Sequence, residues 1–130
     1  MPKTIASLTV TQAFHSYGEG KTKVSLIRSE NRYSIRHSTS RYPKPITGTL
    51  VLPTEEVDTQ LKLLKESRIP AFAEHGHMIL DGALIELTVT GEYMTQKYSW
   101  WTIPPEGYEA VKTFCDWLYL KVPEISPEND

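Results

Sequence analysis

Between Lys23 and Ser38, apolar and polar residues alternate on either side of Glu30-Asn31, and one antiparallel register sorts them onto separate faces. With Glu30-Asn31 as a two-residue loop, Val24 stands opposite His37, Leu26 opposite Ile35 and Arg28 opposite Tyr33. The reverse face collects Lys23, Ser25, Ser34, Arg36 and Ser38, with Ile27 the one residue out of phase. A slip of one position would mix the two sets, so the alternation itself selects the register.

The neighbouring segments extend this pattern. Residues 4–14 alternate with period two, placing Leu8, Val10 and Phe14 on one side and Ser7, Thr9 and Thr11 on the other. Gly18 and Gly20 mark the turn that follows, and residues 38–45 read as an exposed loop. Ile46 to Leu52 form a fourth strand, stopped by Pro53. A helix is expected next, with Thr54 as N-cap and Glu55, Glu56 and Asp58 near its positive start. Its apolar stripe is Val57, Leu61 and Leu64, and Pro70 forbids its continuation.

A second hairpin is expected at Asp81-Gly82, pairing Leu80 with Ala83, Ile79 with Leu84, Met78 with Ile85 and His77 with Glu86. Gly91 to Thr95 would then connect to a strand from Gln96 to Ile103. With Ile85, Leu87 and Val89 turned to the core, this register sends Trp101 and Ile103 inward and Tyr98 and Trp100 outward. Pro105, Glu106 and Glu109 suit the start of a last helix lined by Tyr108, Val111, Phe114, Cys115 and Leu118. The expected fold class is α+β: one antiparallel sheet of six to seven strands, in the order ββββ-α-βββ-α, with both helices on one face. A partly closed β-barrel with helices is the alternative. Residues 1–123 should form one domain and 124–130 a flexible acidic tail.

The single cysteine implies no disulfide framework, and no apolar run approaches the ~20 residues that span a bilayer. The expectation is a cytoplasmic chain without a membrane partner. Net charge is only -2, yet residues 1–52 hold eight Lys/Arg against Glu19 and Glu30, while residues 53–130 hold six against fourteen acids. Such polarity can steer a partner or pair two surfaces of one domain.

Several groups could carry chemistry. Gly20-Lys21-Thr22 has the ending of a phosphate-binding loop, but the required first glycine is replaced by His15 and a strand follows instead of a helix. On a strand, His75 and His77 would project to one side, where Glu86 could complete two imidazoles and a carboxylate around a metal. A solvated His–Glu pair explains the same residues, so no metal and no cofactor is assigned. Cys115 lies on an apolar helix stripe, where thiols serve as packing. The basic hairpin, with Lys21, Lys23, Arg28, Arg32, Arg36, Arg41 and Lys44 around Tyr33 and Tyr42, has the composition used on single-stranded nucleic acid. The acidic balance of the whole chain and the inward side of Tyr33 weigh against that use.

No residue group meets the demands of a named reaction, and the reading leans away from an enzyme. It favours a non-enzymatic protein-binding module, comparable in size to small bacterial adaptor or immunity proteins, with a protein partner or a second copy as its target. The expected contact surface is an outward aromatic patch of Tyr98, Trp100, Ile79 and Leu84 rimmed by His77 and Glu86. The alternatives are a small metal-dependent or ligand-binding enzyme using the His-x-His and Glu86 site, and single-stranded nucleic-acid binding by the basic hairpin.

Overall fold

The computed structural model describes residues 2–12, 20–40, 46–67, 83–91 and 95–122. These form β1 (Lys3–Gln12), β2 (Gly20–Ser29), β3 (Arg32–Ser40), β4 (Ile46–Leu52), α1 (Thr54–Glu66), β5 (Ala83–Thr90), β6 (Thr95–Trp101) and α2 (Glu109–Tyr119). The strands make one antiparallel sheet in the order β4-β3-β2-β1-β5-β6. The sheet is open, with β4 and β6 at its edges, and is not closed into a barrel.

The β2–β3 hairpin has the register its alternation demands: Val24 pairs with His37, Leu26 with Ile35 and Arg28 with Tyr33. Glu30 takes a positive φ of 58° in the two-residue turn, a conformation that short hairpin loops require at their first central residue. One irregularity interrupts β1, where the register shifts between Thr4 and Ala6.

Both helices cover the same side of the sheet. Val57 of α1 and Val111, Phe114, Cys115 and Leu118 of α2 share one buried cluster with Ala6, Leu8, Val24, Leu26, Tyr33, Ile35, Leu52, Leu87 and Trp100. Leu61 and Leu64 are half-buried against it. The helix α1 begins at Thr54 with Pro53 as its cap, one position earlier than its sequence suggests. The reason is that the Thr54 hydroxyl donates to the carbonyl of Asn31 (3.3 Å) and pins the helix start to the hairpin turn, rather than capping its own helix. The Tyr33 hydroxyl donates to Asp58 (2.8 Å), a second tie between β3 and α1. Between the helices, the Trp117 indole donates to Glu56 (2.7 Å), which also pairs with Lys121.

One expected register is corrected. The β5–β6 ladder pairs Ile85 with Trp100, Leu87 with Tyr98 and Leu84 with Trp101. Trp100 therefore points into the core at 6 % exposure, and Trp101 lies on the opposite side. Ile103 falls beyond the strand and is exposed. The cause is the length of the connection. Residues 91–94 separate the strands, where a loop running through Thr95 was expected, and one residue of slip exchanges the two faces of a strand. The expected strand before Asp81-Gly82, and that turn itself, lie outside the described residues, as does the segment 124–130.

Candidate binding surface

Of the expected aromatic patch, Trp100 is buried and Tyr98 half-buried. Tyr98 and Trp100 stand on the helix side of the sheet, where both pack edge-on against Tyr108, with ring centroids 5.6 Å and 6.0 Å away. Burial raises the Tyr98 phenol above its ordinary pKa, and its hydroxyl donates to Gln96 (2.7 Å). Of the proposed companions, Leu84 and Glu86 sit on the other side of β5, half-buried and exposed respectively. Ile79, His75 and His77 lie outside the described residues. The sheet thus separates Tyr98 and Trp100 from Leu84 and Glu86.

The face opposite α1 and α2 has a different character. Side chains of alternate residues project there, and the ladders place them in rows. One row runs Thr47, Ser38, Lys23, Thr9, Glu86, Ser99 from β4 to β6. The next runs Thr49, Arg36, Ser25, Ser7, Thr88, Lys97. Lys21 and Thr11 adjoin Leu84 and Trp101 at one end, and Arg32 lies toward the hairpin turn at the other. Neighbouring strands lie about 4.8 Å apart, so six strands span roughly 24 Å. Lys21, Lys23, Arg32, Arg36 and Lys97 are all exposed, against Glu86 as the one acid of these rows.

The opposite layer balances this charge. Among the described residues the helices carry Glu55, Glu56, Asp58, Glu66, Glu109 and Asp116 against Lys62, Lys65 and Lys112. Among the described residues, the first half of the sequence thus supplies most of the cations of this sheet face, and the second half a net negative helix layer. Arg28 is the basic-hairpin member that leaves the cationic face: its position in the ladder is beside Tyr33 on the helix side, and its guanidinium donates to the carbonyl of Glu30 (3.2 Å). Arg41 and Lys44 are outside the described residues. Lys97 was not legible as part of this face, because the misplaced β6 register would have turned it inward.

Other chemistry finds less support. Gly20-Lys21-Thr22 opens a strand, so it has no helix N-terminus behind it to hold a phosphate. Among the described residues no group of three His, Cys, Asp or Glu side chains is placed to hold a metal. The Cys115 thiol is buried and pushed up to about 12, chiefly by burial and further by Asp116, which keeps it a packing group. A groove of about 560 Å³ runs between the end of α1 and β5–β6, lined by Leu61, Leu64, Val89 and Tyr98. Of its polar members, Lys65 and Gln96 are exposed and the Ser67 hydroxyl donates to the carbonyl of Leu64 (2.6 Å), unlike the convergent polar groups of a small-molecule site. Among the described residues no helix is long and apolar enough to cross a membrane.

No protein-family model and no curated protein matches this chain.

Proposed function

We propose that this chain is a non-enzymatic protein-binding module whose contact surface is the face of the sheet opposite α1 and α2, and that its partner presents an acidic protein surface. The observation that carries this reading is the arrangement of Lys21, Lys23, Arg36 and Lys97 over a bed of Ser and Thr hydroxyls, with a net negative helix layer on the other side of the sheet. Exposed cations in such an array attract an anionic surface and orient it during encounter. The hydroxyls both donate and accept, so they can satisfy the backbone and carboxylate groups that a partner brings.

A protein surface fits this face better than a nucleic-acid strand. Single-stranded binding uses successive aromatic platforms, and on the described part of this face Trp101 is the one ring, at a corner. From Arg36 on β3 to Lys97 on β6 is four strand spacings, roughly 19 Å, so the cations are spread over an area rather than aligned along a backbone path.

The test is a binding titration by fluorescence anisotropy with two labelled probes at low salt, poly-glutamate and a single-stranded oligonucleotide. Poly-glutamate should bind, weaken with added salt, and lose about tenfold in affinity, ~1.4 kcal/mol, in a Lys23→Glu, Arg36→Glu variant. Poly-glutamate binding that ignores both substitutions would overturn the proposed surface. Tighter binding of the oligonucleotide than of poly-glutamate would replace the acidic protein by nucleic acid as the partner.

A further inference from the structure

We infer that two copies of this chain associate through β4, edge to edge, in an antiparallel pair centred on Thr49. The starting observation concerns charge. Every other strand of the sheet carries a charged residue: Lys3 on β1, Lys21, Lys23 and Arg28 on β2, Arg32 and Arg36 on β3, Glu86 on β5 and Lys97 on β6. The sequence of β4, Ile-Thr-Gly-Thr-Leu-Val-Leu, carries none, and no proline interrupts it. Yet β4 is an edge strand, whose single neighbour among the described residues is β3. Edge strands that must stay unpaired are protected by charges, prolines or bulges, as Lys97 protects the far edge at β6. On β4 the side chains beside the edge are instead apolar and open to water, Leu50 at 39 % and Val51 at 72 % exposure.

The backbone of β4 permits self-pairing in one well-defined way. The two-residue turn at Glu30-Asn31 makes Ser29 and Arg32 a hydrogen-bonded pair, and bonding then alternates along β3. The odd residues Tyr33, Ile35, His37 and Thr39 therefore bond to β4, through Leu52, Leu50, Gly48 and Ile46. That leaves the N–H and C=O groups of Thr47, Thr49 and Val51 directed away from the sheet. In an antiparallel pair about Thr49, each of these finds a partner: Thr49 meets Thr49 of the second copy, and Thr47 meets Val51. Both helix layers then fall on the same side, because the residues paired have the same parity. On that side Leu50 comes to rest opposite Gly48 of the second copy, against the His37 ring that fills the space over that glycine. On the other side the exposed Val51 meets Thr47, a pair of β-branched side chains suited to a sheet. A shift of two residues toward Pro53 would oppose Thr47 to a residue without an N–H, and a shift the other way would leave the end of β4 unpaired. The continuous sheet would join the cationic faces of the two copies.

An edge contact of this length is small, so the association should be weak and concentration-dependent. Light scattering after size exclusion, at about 1 to 500 µM protein, should show the mass rising from one chain toward two. Val51→Lys, at a position open to water, should stay folded by circular dichroism and remain monomeric throughout. Thr49→Pro removes an outward-facing N–H and should do the same; if it fails to fold, Val51→Lys decides. A Thr49→Cys variant should form a covalent dimer under mild oxidation, since paired Cα atoms about 5.5 Å apart are within disulfide reach, whereas Thr47→Cys should not. A wild-type chain that stays monomeric at the highest concentration overturns the proposal. So does a dimer that persists in Val51→Lys, or a covalent dimer formed more readily by Thr47→Cys than by Thr49→Cys.

Discussion

Replacing Gly48 by alanine should destabilise the protein, and His37 should be the reason. The two residues are cross-strand partners in the β3–β4 ladder. A Cβ at position 48 would lie 2.7 Å from the Nε2 and 2.8 Å from the Cε1 of the His37 ring. Non-bonded heavy atoms favour about 3.5–4 Å, so the ring must move by several tenths of an ångström or more. It has little freedom to do so, because His37 is buried and its other cross-strand neighbour, Val24, is fully buried. The backbone at Gly48 is not in the left-handed region, so alanine meets no strain there. In a strand, alanine is even favoured over glycine by about 0.5–1 kcal/mol. Overpacking opposes this with about 1–3 kcal/mol, which leaves a net loss between about 0 and 2.5 kcal/mol, near 1 at the middle of both ranges. Urea unfolding followed by tryptophan fluorescence measures it, with an unchanged m-value as the sign that only stability moved. The cause is isolated by a double-mutant cycle. In a His37→Ala background the same Gly48→Ala change should be neutral or stabilising, giving a coupling of about 1–3 kcal/mol. A coupling below ~0.5 kcal/mol would refute the steric argument.

Two further outcomes are expected. Trp100→Ala should cost about 3–5 kcal/mol in urea unfolding, because the ring is buried against Tyr108, whereas Trp101→Ala on the face opposite the helices should cost about 1 kcal/mol or less; the reverse order would restore the outward placement of Trp100. Glu56 has its pKa lowered, first by the hydrogen bond from Lys121 and then by that from Trp117, so its contribution to stability is complete above the unfolded value near 4.5 and is lost as pH falls through the folded value. The stability gap between wild type and Glu56→Gln should therefore narrow between pH 7 and pH 3, and a gap that widens on acidification would contradict this sign.

Much of the architecture was legible because it is local. The β2–β3 register needed only a two-residue turn and the alternation around it, and the structure keeps every pair that alternation implied. The buried stripe Val111, Phe114, Cys115 and Leu118 follows from helical spacing alone. The chain's own residues also settled that β4 would carry no charge and that basic residues would crowd the first half. Strand order is another matter. β5 lies against β1 and β6 lies outside it, a pairing between segments more than seventy residues apart that no turn specifies. That order decides which strands become edges, and so exposes the uncharged β4 and brings Lys97 onto the same face as Lys23 and Arg36. The orientation of Trp100 turned on a still smaller matter, whether the connection before β6 holds four residues or five. A strand has a period of two, so that single residue moves every side chain to the other face, and only burial against Tyr108 and the α2 layer selects which.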